Sequence, residues 1–245
     1  EKGKEKEKDK DKQNEQQKKE NQSQRGNEMR CPENSLRGGR EKERGGRRRR
    51  EYPLHSCAKD NDVEGMKKIL CAGYDVNRRD TFGATALLIA CHLGHKEAVD
   101  VLLSHSNIDV NLGELWGRTA LHDASKKGHY DIVKKLVEKN ADVSLADKKK
   151  KSALMKAAAR GHTKIVRYLI QKGADVDASD SQYESTALLY ACMKGKTEVV
   201  QTLVEEGGAE MRKTNRKNES IFHCVVLGGS VQTLVFLLQF LLNKG

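Results

Sequence analysis

Proline is almost missing from this chain, with Pro32 and Pro53 the only two in 245 residues, and tryptophan occurs once, as Trp116. Long apolar runs are missing too. The most apolar stretch, residues 231–242, is twelve residues long and holds two glutamines, too short to cross a bilayer. No initiator Met or secretory leader is visible in a sequence that opens at Glu1. The first 51 residues contain no Val, Ile or Phe and one Leu, Leu36, so they have nothing with which to build a core. Missing as well are G-x-S-x-G, a phosphate-binding Gly-rich loop, H-E-x-x-H and a dinucleotide fingerprint. A catalyst needs a nucleophile, a base and an oxyanion donor that converge, and no such set is legible.

What the chain has instead is repetition. Leu54 has counterparts at Leu87, Leu121, Leu154, Leu188 and, as phenylalanine, Phe222, spaced by 33, 34, 33, 34 and 34 residues. In register the copies read GATALLIACHLGHKEAVDVLL from Gly83, GRTALHDASKKGHYDIVKKLV from Gly117, KKSALMKAAARGHTKIVRYLI from Lys150 and ESTALLYACMKGKTEVVQTLV from Glu184. A fixed period of this length marks a solenoid whose units bury their apolar faces only on one another. Function is then expected on a surface and not in a deep pocket.

Four blocks carry a family resemblance: Thr119-Ala120-Leu121-His122, small pairs such as Ala157-Ala158, Gly161-His162, and Gly173-Ala174-Asp175-Val176-Asp177. With these blocks residues 52–245 resemble the ankyrin-repeat family. The resemblance implies an all-α solenoid of about six helix-turn-helix units with short hairpin fingers. Repeats are expected near 52–82, 83–116, 117–149, 150–183, 184–217 and 218–245, the last incomplete. Residues 1–51 are expected to be a disordered, basic low-complexity arm.

Each block has a physical reason. Thr85, Thr119, Ser152, Thr186 and Ser220 precede apolar runs and suit the N-cap of a first helix. Proline, pre-set for the first helical position, follows only at Pro53. The small pairs Ala90-Cys91, Ala124-Ser125, Ala157-Ala158 and Ala191-Cys192 would let neighbouring repeats approach closely. Gly94, Gly128, Gly161, Gly195 and Gly229 sit where the chain reverses through a left-handed conformation, with Asn61 as substitute in the first copy. A second helix is read from Val99, Leu102 and Leu103, from Ile132, Val133, Leu136 and Val137, and from Ile165, Val166, Leu169 and Ile170. Extra residues fall within 104–107 and 181–184, in loops that tolerate insertion.

Six cysteines, at 31, 57, 71, 91, 192 and 224, form no C-x-x-C pair. Cys57, Cys91 and Cys192 take small-residue slots and read as buried thiols of a reducing, intracellular compartment, cytoplasmic or nuclear. Histidines follow the repeat as well: His55, His122 and His223 share one slot, and His95, His129 and His162 another. Structural hydrogen bonding is therefore expected of them. His92 and His95 alone do not make a metal site, and neither metal nor cofactor is expected.

Recognition remains. The resemblance implies that partners lie along a concave side formed by finger tips and first helices. Just before the tip turn the copies carry Phe82, Trp116, Lys149, Tyr183 and Lys217, three of them aromatic. Such rings are enriched at binding hot spots; the alternative is packing on the next finger. Arg78-Arg79, Arg118, Lys148 to Lys151, Arg212-Lys213 and Arg216-Lys217 would add an electropositive ridge suited to an acidic protein partner. Asp123, Lys156 and Tyr190 are expected to line the inner face.

The expected function is a non-catalytic scaffold for another protein. One alternative is the targeting region of a larger kinase, ubiquitin ligase or transferase whose catalytic domain lies outside this sequence. Another is nucleic-acid contact through the basic arm, where Arg44 and Arg47 to Arg50 cluster without interleaved aromatics. Opening at Glu1 and closing on Leu-Leu-Asn-Lys-Gly with an apolar last helix, the sequence reads as a fragment that more repeats or another domain would extend.

Overall fold

The computed structural model describes residues 52–243; the expected disordered arm and its arginine cluster lie outside them. Among the described residues the chain forms helices only. They come in pairs: α1 (Pro53–Asp60) with α2 (Val63–Cys71), α3 (Ala86–Leu93) with α4 (Lys96–Leu103), α5 (Ala120–Lys127) with α6 (Tyr130–Glu138), α7 (Ala153–Arg160) with α8 (Thr163–Gln171), α9 (Ala187–Met193) with α10 (Thr197–Glu205), and α11 (Ile221–Gly228) with α12 (Val231–Leu242). Every odd helix packs on the next odd helix and every even helix on the next even one. The result is a two-layer all-α solenoid.

Local chemistry starts every odd helix after the first where the hydroxyl residues predict; α1 opens on Pro53 with no side-chain cap. The side chains of Thr85, Ser152 and Thr186 accept from the amides of Leu88, Met155 and Leu189, each at 3.3 Å. Thr119 and Ser220 use a reciprocal arrangement instead. The Thr119 amide donates to His122 Nδ1 at 3.2 Å, and the Ser220 amide to His223 Nδ1 at 3.3 Å. Histidine here fills the role that Glu or Gln plays in a capping box.

That role also sets the tautomer. With Nδ1 accepting, the His122 proton sits on Nε2, which donates to the carbonyl of Lys151 in the following repeat at 3.0 Å. His55 Nε2 likewise donates to the Ala84 carbonyl at 2.9 Å. The turn-slot histidines reach the other way. His95 donates to the Ala58 carbonyl at 3.0 Å and His162 to that of Lys126 at 3.1 Å. Histidines thus lace the first repeat to the second and the third to the fourth, in both directions each time; the fifth repeat has no histidine.

Ala90, Cys91, Ala124, Ser125, Ala157, Ala158, Ala191 and Cys192 are all fully buried at the seams between odd helices. Helix reversal at Gly94 and Gly128 needs φ of +81° and +87°, and a Cβ on either would strike the ring of His129 or His162 at about 2.5 Å. Asn61 takes the same left-handed conformation, with φ 54°. Val99, Leu102, Ile132, Val133, Leu136, Ile165, Val166 and Leu169 bury the apolar faces of the even helices.

Between pairs the chain runs out as a hairpin finger, with antiparallel bridges at Arg79–Thr85 and Ala146–Ser152. The last tip residue is left-handed in every finger: Gly83, Gly117, Lys150, Glu184 and Asn218. In the fourth finger the closing bond runs from Glu184 back to Asp180, one residue further than Gly83 to Asp80 or Lys150 to Asp147. The inserted residue therefore sits in the tip.

Lys150, exposed with φ 56°, adopts a conformation that costs an L-residue roughly 1–2 kcal/mol and glycine nothing. Glycine gives back about 0.5–1 kcal/mol through the entropy of the unfolded chain. Lys150→Gly is expected to raise unfolding free energy by roughly 0.5–1 kcal/mol, read as a higher urea midpoint at unchanged slope. A midpoint that stays or falls would show that the tip carries no strain.

Candidate functional site

Each finger is organised by one acidic or amide side chain at its base. Asp80 Oδ1 accepts from the amides of Phe82 and Ala84, both at 2.8 Å. Asp147 Oδ1 accepts from Lys149 at 2.9 Å and Lys151 at 3.0 Å. Asn215 does the same for Lys217 and Glu219, and Asp180 for Gln182, Tyr183 and Ser185. In the second finger Glu114 takes the Trp116 amide. These five residues lie three or four positions before the tip residue, a recurrence that was visible in the sequence and that the reading above did not use.

Neighbouring fingers are joined through the backbone of the very residues singled out as partner-binding. Leu115 N–H donates to the Phe82 carbonyl at 3.0 Å, Lys148 to Trp116 at 2.9 Å, Ser181 to Lys149 at 2.9 Å, and Arg216 to Tyr183 at 2.8 Å. Their side chains stay open. Phe82 is 68% exposed, Trp116 64% and Tyr183 47%. Backbone rungs hold the tips, so these rings are presented by a fixed main chain.

Three residues expected on an open inner face are placed otherwise. Asp123 is only 1% exposed: it accepts from His92 Nδ1 at 3.0 Å and lies 3.8 Å from Arg118. Lys156 is bonded to Asp147 at 2.6 Å, and both side chains are nearly covered. Tyr190 is buried and donates its hydroxyl to Asp180 at 2.9 Å. Burial, reinforced by the Asp180 carboxylate, pushes the Tyr190 phenol well above its ordinary value. The cause is common to all three. Each position meets a side chain of a finger or, for Asp123, also of the preceding odd helix before it meets solvent.

The electropositive ridge is also thinner than a count of Lys and Arg suggests. Arg118 is bonded to Glu114 at 2.9 Å. Arg79 donates to the carbonyls of Gly83 and Gly113, Lys213 to that of Asp177 at 2.8 Å, and Arg216 to Glu184 and to the Ser181 carbonyl. Arg118 is tied within its own finger, and the other three brace one finger on the next. Lys148, Lys149 and Lys217 are exposed. Lys151 lies with Nζ 4.8 Å from the centre of the Tyr190 ring and 5.4 Å from that of Tyr183.

Lys151 belongs to a feature absent from the sequence reading. Between α5, α7 and α9 lies a cavity of about 230 Å³ lined by Lys126, Lys151, Met155, Lys156, Ala159, Arg160 and Tyr190. It is smaller than the roughly 300–1,000 Å³ of pockets that swallow a whole small molecule, and through Lys151 its wall reaches the Tyr183 ring. Burial, together with the neighbouring charges of Arg160, Arg118 and Lys156, lowers the Lys126 ammonium below its ordinary value despite Asp123.

The described cysteines form no disulfide. Cys91 and Cys192 are buried as expected, and burial raises the Cys192 thiol to about 12 and Cys224 to about 11. Cys57 differs: it is only half-buried, its Sγ 3.7 Å from Asp62 Oδ2. His92 and His95 bond to different groups, Asp123 and the Ala58 carbonyl. Among the described residues no three His, Cys, Asp or Glu side chains converge as metal ligands, and no helix is long and apolar enough to cross a membrane.

Comparison with known proteins agrees with this architecture. A segment of 61 residues is 43% identical to osteoclast-stimulating factor 1 of Gallus gallus, covering 25% of this chain and 30% of that protein. Another of 77 residues is 43% identical to the E3 ubiquitin-protein ligase XBAT33 of Arabidopsis thaliana, covering 31% of this chain and 15% of the ligase. A third, of 83 residues, is 35% identical to serine/threonine-protein kinase 12 of the same plant, covering 34% and 18%. The chain thus spans less than a third of the length of these relatives. The family model for ankyrin repeats in three copies matches residues 54–147 and again 141–215, well over half of the sequence. With helix pairs, hairpin fingers and lacing histidines at one period, the chain belongs to the ankyrin-repeat family.

Proposed function

We propose that this domain is a non-catalytic protein-binding module whose partner lies along the fingers and the adjoining faces of the odd helices. One observation carries the reading: Phe82, Trp116 and Tyr183 expose their rings at finger tips while their own carbonyls are held by the next finger. Large exposed rings on a fixed backbone lose little entropy when a partner covers them, which is the character of a hot spot. Lys148, Lys149 and Lys217 stand beside them, giving the surface a preference for an acidic partner. The free, buried thiols support an intracellular setting.

Trp116→Ala tests the reading. Affinity capture with the full chain is expected to lose its main partner, with binding weakened by about 2 kcal/mol or more. Thermal unfolding should stay within about 0.5 kcal/mol, as for a surface substitution. Unchanged capture with a lowered melting temperature would mean that the ring packs and does not bind.

A second reading is favoured by the relatives. Two are named as a ligase and a kinase, and this chain matches only 15% and 18% of their lengths. A repeat region of this kind would then select the substrate of a catalytic domain encoded elsewhere in the same protein. The open reading frame around the sequence decides it.

A further inference from the structure

The cavity between α5, α7 and α9 has walls of one sign. Lys126, Lys151, Lys156 and Arg160 converge on it, and Met155, Ala159 and Tyr190 make its floor. The acidic groups nearby are committed beneath the surface. Asp123 is held by His92 and Arg118, Asp147 by Lys156 and two amides, and Asp180 by three amides and the Tyr190 hydroxyl. Those three carboxylates are 1%, 9% and 1% exposed. Among the described residues, Lys126, Lys151 and Arg160 make no ion pair.

Cations gathered in a partly desolvated hollow repel one another, and an anion entering it relieves that repulsion. The hollow is too small for a whole ligand and suits one charged side chain. Its mouth adjoins an exposed ring through Lys151, which touches Tyr190 on one side and Tyr183 on the other. Nucleic acid would ask for a row of open cations tracking a backbone; along the fingers most of the arginines are spent as braces.

We propose that this hollow is an oxyanion subsite that takes a carboxylate or phosphate carried by a peptide segment, with the neighbouring peptide residue lying on Tyr183. It rests on the finger-and-helix surface proposed above. Met155 and Tyr190 fit the methylene stem of the anionic side chain, and the lysines and Arg160 fit its head, the guanidinium offering a bidentate grip.

The test selects peptides from a random-sequence library on the immobilised full chain and measures them by fluorescence polarisation. Selected peptides should be enriched in Asp and Glu, and their Asn or Gln analogues should bind at least about tenfold more weakly. Lys126→Gln combined with Arg160→Gln should cost a similar factor. Lys139→Gln combined with Lys164→Gln, the same charge change on the even layer, should stay within about twofold. A phosphoserine in place of the key acid distinguishes the sources: tighter binding identifies phosphate, weaker binding carboxylate. Recovery of no acidic peptides, or equal losses in both double variants, overturns the subsite. If Trp116→Ala still weakens binding in that case, the surface reading stands without it; if no variant matters, both fall.

Discussion

Between pH 7.5 and pH 4.5 the repeat domain is expected to lose roughly 2–3 kcal/mol of unfolding free energy through His122 alone. This imidazole is 1% exposed, and burial, followed by the charge of Lys156, lowers it from 6.5 to about 4. Above pH 6.5 neither the folded nor the unfolded chain protonates it, and its full contribution is present. Between 6.5 and 4 the unfolded chain takes the proton first, so stability falls with pH; below 4 this group removes nothing further. The neutral ring is also what the structure uses, accepting from Thr119 and donating to the Lys151 carbonyl. Burial lowers His55 in the same direction and adds to the slope.

Urea unfolding of the parent and of His122→Gln at the two pH values checks this. Glutamine keeps an acceptor for the cap, so the variant should lose only about 1 kcal/mol at pH 7.5, the worth of one hydrogen bond. Its loss on acidification should be much smaller than the parent's. Parallel losses would show that some other group carries the acid sensitivity.

Asp147→Ala is expected to cost more still, about 3–5 kcal/mol at neutral pH. One carboxylate oxygen organises the third finger through two amides, and the other holds Lys156, whose side chain is only 11% exposed. Alanine leaves both amides and a buried ammonium without their acceptor. Asp147→Asn separates the two roles, because Asn215 shows that an amide oxygen organises a finger equally well. That variant should lose roughly half as much, and adding Lys156→Met should recover most of the loss, since an apolar pair can replace a buried ion pair. No recovery would place the energy in the backbone bonds.

Burial raises the Asp147 carboxyl, but Lys156 and the amides outweigh it and leave the group below its ordinary 3.8. Its contribution is therefore present above pH 3.8 and lost as pH falls through the folded value. That window lies below the one set by His122, so the two acid steps can be told apart.

The helix pairs were legible because their causes are local. A hydroxyl before an apolar run, a glycine or Asn61 at the reversal and a small pair in mid-helix each act within a turn or two of chain, and all recur at one period. The lacing histidines were legible as a pattern, though their partners were not: His122 meets a carbonyl 29 residues ahead and His162 one 36 residues behind. The finger-base residues Asp80, Glu114, Asp147, Asp180 and Asn215 also recur, yet nothing in their composition distinguishes an organising carboxylate from a solvated one.

By itself the sequence determined the repeat, its caps, its left-handed reversals and the aromatic character of the finger tips, since each depends on bonds made within a few residues. Tertiary structure alone decided which polar groups remain available. Asp123 is sealed by neighbours and Lys156 and Tyr190 are paired with the finger carboxylates Asp147 and Asp180, while Lys126 and Arg160, unremarkable in sequence, converge with Lys151 on the hollow that Lys156 and Tyr190 also line. The physical reason is the stacking itself: side chains some thirty residues apart become nearest neighbours, and whether a charge finds a partner depends on the repeat before it and the repeat after it.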